Sequence, residues 1–204
     1  MNNLQPEALS GLRVLDCATF IAGPYCATFF AEFGAEVIKV ELPKVGDPTR
    51  KFGTPTSCGD SLIWLSESRN KKSITIDLRK KAGADLLKKL VEKSDVLVEN
   101  FQPGTFESWG LSWEELKKHN PKLIMVRISA YGQTGPLSPL PGFGRVANGF
   151  GGGAEIFKII CGHTGCFKKF SVIWLKRSAI SVMGTWPHWS INSYWAWGNK
   201  GFNS

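Results

Sequence analysis

The sequence predicts an α/β domain over residues 1–150, with a mostly parallel sheet and flanking helices, followed by an irregular segment over residues 151–204. Three observations carry this. Short apolar runs alternate with amphipathic stretches and turn residues as far as about Phe150. No aspartate follows Asp95. Five of the eight tryptophans fall after residue 150, and Trp186, Trp189, Trp195 and Trp197 show neither helical nor strand periodicity, so they read as a tail without a packing face. A hydrophobic content of 43% in 204 residues is enough for one core and an appendage.

Each element has a local reason. Leu12–Leu15 is a short apolar strand ended by Asp16. Ala22-Gly23-Pro24 is a turn, with Pro24 placed at the first position of a helix, where its missing N–H costs nothing. That helix is expected over Tyr25–Phe33 and stops at Gly34. Val37–Val40 is the second strand, with Glu41 at its end, and residues 42–59 are loop-like. Ser73–Ile76 reads as a strand, and Lys80–Glu92 as a helix whose apolar side is Ala84, Leu86, Leu87, Leu90 and Val91. Val96–Val98 is a strand. Ser112 and Glu115 have capping-box spacing for a helix that ends before Pro121, and Leu123–Ile128 is the last strand.

The net charge of +8 invites a nucleic-acid reading until its location is considered. Six of the cations, against Glu155 alone, lie after residue 150, so five of the eight net charges belong to the irregular segment. No nucleic-acid partner is expected. With no run of 18 apolar residues and no basic leader, the reading is a cytoplasmic protein without a membrane partner. The five cysteines read as free thiols, and Cys161-Gly-His163-Thr-Gly-Cys166 lacks a fourth ligand, so no metal is expected.

The first strand–turn–helix–strand unit, with Glu41 closing it, supports a Rossmann-like architecture. Nicotinamide binding is not supported, because Ile21-Ala22-Gly23-Pro24 offers one glycine where close pyrophosphate approach requires three. Nucleophile-elbow and phosphate-loop motifs are absent, and His119 reads as a solvated residue at a helix end. Asp16 and Asp95, beside strands, read as residues that cap or turn the chain.

Blocks in register extend the reading. Leu9-Ser-Gly-Leu-Arg-Val-Leu-Asp16, Ala22-Gly23-Pro24 and Phe33-Gly-Ala-Glu-Val-Ile-Lys-Val-Glu41 come first. Gly46-Asp47-Pro-Thr-Arg50, Asn70-Lys71-Lys72-Ser73-Ile74, Asp95-Val-Leu-Val-Glu-Asn-Phe-Gln-Pro-Gly104 and Tyr131-Gly-Gln-Thr-Gly-Pro136 follow. Over residues 9–152 this order resembles the opening of the CaiB/BaiF family, the family III CoA-transferases. The resemblance implies a Rossmann-like large domain, a smaller second domain and two chains interlocked as linked rings. It implies CoA transfer from an acyl-CoA to a small carboxylic acid through covalent aspartyl intermediates. By position it implies coenzyme A contacts at Ile76, Asp77, Leu78 and Arg79, where the Arg79 fork suits a phosphate, and at Asn100, Phe101 and Gln102. The glutamine of formyl-CoA transferases corresponds to Ile21, and Pro141-Gly-Phe143-Gly stands where racemases of this fold carry a histidine. The transferase reading therefore stands ahead of an acyl-CoA racemase.

Beyond Gly151-Gly152 the resemblance lapses. Family members there reach a Gly-Asp pair carrying the nucleophile, and this chain has no aspartate after Asp95, so no catalytic residue is assigned. A reading-frame shift near residues 150–155 is expected, since a neighbouring frame over Ser178–Trp189 can encode a Gly-Asp-rich loop like the family's. The chain is therefore expected to be a truncated, inactive member, with a non-catalytic CoA-binding or dimerising fragment as the alternative. The linked-ring homodimer is not expected of a chain without the second domain.

Overall fold

The computed structural model describes residues 7–143. Five strands form one sheet in the order β3-β2-β1-β4-β5, and every neighbouring pair is parallel. They are β1 (Arg13–Asp16), β2 (Glu36–Glu41), β3 (Lys71–Thr75), β4 (Val96–Glu99) and β5 (Ile124–Arg127). The helices are α1 (Ala22–Glu32), α2 (Leu62–Glu67), α3 (Lys81–Val91), α4 (Thr105–Ser108) and α5 (Trp113–His119), with a 3-10 turn at Pro48–Lys51. The central strands are buried on both faces, as parallel strands covered by crossover helices must be.

One face carries Val14, Val37, Val96 and Val98 against Ala27 and Ala31 of α1. The other carries Leu15, Val40, Leu97 and the partly buried Ile74 against Ala84, Leu87 and Val91 of α3, Phe106 of α4 and Leu116 of α5. Ala84, Leu87 and Val91 fall on one helical stripe, whereas Leu86 is exposed. At 100° per residue, Leu86 lies well round the helix from Ala84, so the expected apolar side of α3 is narrower by that residue.

Other local expectations shift for identifiable reasons. The first helix starts at Ala22, so Pro24 is its third residue; the first-turn N–H groups have no intrahelical partner, and proline is tolerated there as well. The third strand runs Lys71–Thr75, and Ile76 leaves it for the core. The Ser112 hydroxyl accepts the Glu115 N–H at 3.2 Å, but the Glu115 carboxylate turns to Lys118 at 2.7 Å, so only half of the capping box forms. Helices α2 and α4 lie within segments to which no element is assigned from sequence; Ser61, whose hydroxyl accepts the Trp64 N–H at 3.0 Å, is the local signal for α2. The tryptophan-rich segment and the Cys161–Cys166 run lie outside the described residues.

Candidate functional site: the carboxyl edge of the sheet

In this strand order, the connections leaving β1 and β4 diverge to opposite sides, which opens a crevice at their carboxyl ends. The loop after β1 is fixed from several directions. Cys17 N–H donates to Val98 O at 2.9 Å, and Ala18 N–H to Asp16 Oδ1 at 3.2 Å. Asn100, just past β4, accepts from Thr19 N at 2.8 Å and donates to Thr19 O at 2.7 Å. Asn100 thus staples the two sides of the crevice. Phe20 next to it sits at φ 61°, a left-handed conformation costly for a bulky residue and held here by the bonds on its neighbours. A Cβ on Gly23 would lie 2.2 Å from Ala18 Cβ and 3.3 Å from Asn100, so only glycine lets α1 start this close to the crevice.

Beneath the loop lies a buried set of charges. Lys39 Nζ donates to Ala18 O and lies 3.1 Å from Asp47 Oδ2 and 3.6 Å from Asp16 Oδ1; Lys71 Nζ reaches Asp16 Oδ2 at 2.9 Å. All four side chains are essentially inaccessible. Burial depresses the Lys71 pKa, opposed by the Asp16 charge beside it. Asp16 therefore caps the turn after β1 through the Ala18 N–H and also centres an ion network whose cations come from β2 and β3. Asp95 acts across the sheet instead: its carboxylate accepts the N–H of Arg13, 82 positions away at the start of β1, at 2.8 Å.

Glu41 does not serve as an acidic partner for a ribose. Arg50 holds both its oxygens, at 2.7 and 2.8 Å, while Ser73 and the Asp47 N–H donate to them as well. Burial pushes the Glu41 pKa up, but these donors together hold it down at about 2. Arg50 also grips Asp60 and lies 3.9 Å over the Trp64 ring, fastening the 42–61 loop to the end of β2.

The residues expected to meet coenzyme A all lie along this edge, in two groups. Ile76 and Leu78 are buried in the core, so any contact there is made by their backbone. Arg79 is exposed, with its Nε and Nη2 on the Asp77 carboxylate at 2.8 and 3.0 Å. Past β4, Phe101 stacks with Phe106 at 5.8 Å and meets Trp109 edge-on, and the Gln102 amide is 3.5 Å from Pro139 O. The two groups flank the crevice: β3 and β4 are three strand spacings apart, on the order of 14 Å.

Seven carboxylates along this edge are matched by cations: Asp16 and Asp47 by Lys39, Glu41 and Asp60 by Arg50, Asp77 by Arg79, Glu99 and Glu107 by Arg127. Among the described residues, then, this edge offers the start of α1 and the exposed Arg79 guanidinium. No three His, Cys, Asp or Glu side chains converge as a metal site among them, and no helix among them is long and apolar enough to cross a membrane. His119 faces Glu92 at 3.3 Å, away from this edge.

Comparison with known proteins accords with this architecture. A family model described as CoA-transferase family III matches residues 9–185, running beyond the point near 152 where the sequence blocks stop. The chain is 58% identical over 144 residues to the succinyl-CoA–L-malate CoA-transferase beta subunit of Chloroflexus aurantiacus, covering 71% of this chain and 36% of that one. It is 41% identical over 152 residues to human succinyl-CoA:glutarate CoA-transferase, covering 74% and 34%. The chain thus spans about a third of the length of these curated relatives. Among solved structures, a CaiB/BaiF family protein from Brucella suis superposes with a TM-score of 0.67 at 32% identity, covering 87% of this chain and 50% of that one. A hypothetical protein from Mycobacterium tuberculosis superposes with a TM-score of 0.67 at 37% identity, covering 72% and 41%. The glycine-poor first turn, the strand order and the matched residues lead to one assignment: the chain belongs to CoA-transferase family III.

Proposed function

We propose that residues 7–143 are the CoA-facing part of a transferase that moves CoA from an acyl-CoA to a small carboxylic acid. The observation that carries this is the placement of residues 76–79 and 100–102 on one sheet edge, either side of the β1–β4 crevice, where open α/β sheets bind their ligands. Arg79 supplies the accessible cation for a phosphate. The relatives' names point to succinyl-CoA as donor and to a dicarboxylic acid such as malate or glutarate as acceptor.

In our reading this chain binds CoA weakly and does not turn over. The thioester must be attacked by a carboxylate, and the sequence has no aspartate after Asp95, while Asp16, Asp47, Asp60 and Asp77 at the described edge are held in ion pairs. A frame shift near residues 150–155 accounts for the aspartate-free, tryptophan-rich segment. The chain is read as cytoplasmic.

Equilibrium dialysis of the full chain against CoA, run beside a discontinuous assay with succinyl-CoA and either malate or glutarate, tests both parts. Retention of CoA without a new thioester is expected. Failure to retain CoA overturns the binding reading, and turnover by the pure protein overturns the inactivity. Sequencing the gene from codon 145 should find the family's second half in another frame.

A further inference from the structure

The loop 100–104 hangs on two carboxylates. Glu99, fully buried at the end of β4, accepts the Phe101 N–H at 2.7 Å. Glu107, in α4, accepts the Gly104 N–H at 3.0 Å. One guanidinium joins the two: Arg127 Nε lies 2.7 Å from Glu99 Oε1 and its Nη1 2.7 Å from Glu107 Oε1. Arg127 stands opposite Glu99 in the β4–β5 register, so the sheet itself fixes where the fork points. Its third nitrogen, Nη2, is buried and has no hydrogen-bond partner among the described residues. The side chain is thus spent on joining the two carboxylates at the cost of one unsatisfied donor, and a rigid fork achieves this where a single ammonium cannot.

We propose that Arg127 is a positioning residue for the ligand loop of this edge. Through Glu99 and Glu107 it sets the backbone of Asn100, Phe101 and Gln102, and through the Asn100–Thr19 staple it sets the opposite wall of the crevice. Arg127 itself sits behind the loop. This role rests on the CoA reading above for its ligand, but not for its geometry.

Hydrogen exchange and CoA dialysis on the full chain test it, with Arg127→Met and Arg127→Lys. Arg127→Met should speed exchange at Phe101 and Gly104 about tenfold and weaken CoA retention by a similar factor, as expected for losing charge-assisted bonds, with Val14 and Val37 unchanged. Arg127→Lys keeps the buried positive charge and so protects the fold if the methionine variant fails. It should still loosen at least one of the two loop amides and weaken CoA retention. Wild-type exchange at both amides in Arg127→Lys overturns the proposal, as does unchanged CoA affinity with a loosened loop. Acceleration spread evenly over Val14, Val37 and the loop also overturns it, by showing a merely structural role. If the wild-type chain retains no CoA, the CoA reading falls, and exchange at Phe101 and Gly104 alone then upholds or overturns the positioning role.

Discussion

On one face of the sheet α1 lays Ala27 and Ala31 against valines, while on the other α3, α4 and α5 lay Leu87, Val91, Phe106 and Leu116 against larger side chains. The buried Asp16–Lys39–Asp47–Lys71 network lies on the α1 side, continuing the row of Val14 and Val37 toward the carboxyl edge. The small-residue face lets a helix start come within van der Waals contact of the β1 loop and Asn100, which brings backbone to the crevice. The large-residue face buries more apolar surface per residue and so supplies most of the hydrophobic stabilisation. Apolar burial and the close approach of backbone to the crevice are thus divided between the two sides of one sheet.

Lys39→Met should break this division most severely. It leaves Asp16 and Asp47 buried with Lys71 as the remaining cation of the cluster, and losing one partner of a buried pair costs about 3–5 kcal/mol. Chemical denaturation checks it, and a loss below that of an exposed lysine variant would deny the network its role. The next pair of variants acts in opposite ways on the two faces. Leu87→Ala leaves a cavity under α3 and should cost about 2–5 kcal/mol. Gly23→Ala adds one methyl on the α1 face and should cost about 1–3 kcal/mol by overpacking. Leu87→Ala should leave the Thr19–Asn100 bonds intact, whereas Gly23→Ala should disturb them; exchange at the Thr19 amide tells the two apart.

A smaller effect concerns pH. The Glu41 pKa is held at about 2, below its unfolded value near 4.3, so its contribution is fully present above that unfolded value. It is lost as pH falls from about 4.3 toward 2. Glu41→Gln should flatten the acid limb of a stability profile; an unchanged acid limb would mean that Arg50 does not stabilise the charged form. The smallest effect is expected at the surface. Asp77→Asn releases the exposed Arg79 fork and should strengthen CoA retention by a few-fold at low salt, with the gain fading as salt screens it. Weaker retention would mean that Asp77 holds Arg79 in its binding pose.

Much of this was legible in the chain. The runs at Val14-Leu15, Val37–Val40 and Val96–Val98 and the stripe Ala84, Leu87, Val91 specify their elements through local periodicity. Helix α2 escapes such a reading because six residues are fewer than two turns, too short for a stripe to repeat. At the site, the edge positions of Arg79 and Asn100 follow from strand ends, but the side-chain roles do not. Asn100 spends its amide on Thr19, 81 positions away, and Asp16 meets Lys71, 55 positions away.

By itself the sequence determined what local physics controls: the alternation of strand and helix, the turn glycines, the serine cap of α5, and the loss of aspartate beyond Asp95. Only the tertiary structure decided the strand order, which charges neutralise one another and which side chains of the carboxyl edge face solvent. The physical reason is that a buried charge takes whatever partner the fold brings within a few ångströms, and no short-range pattern records which distant residue that is.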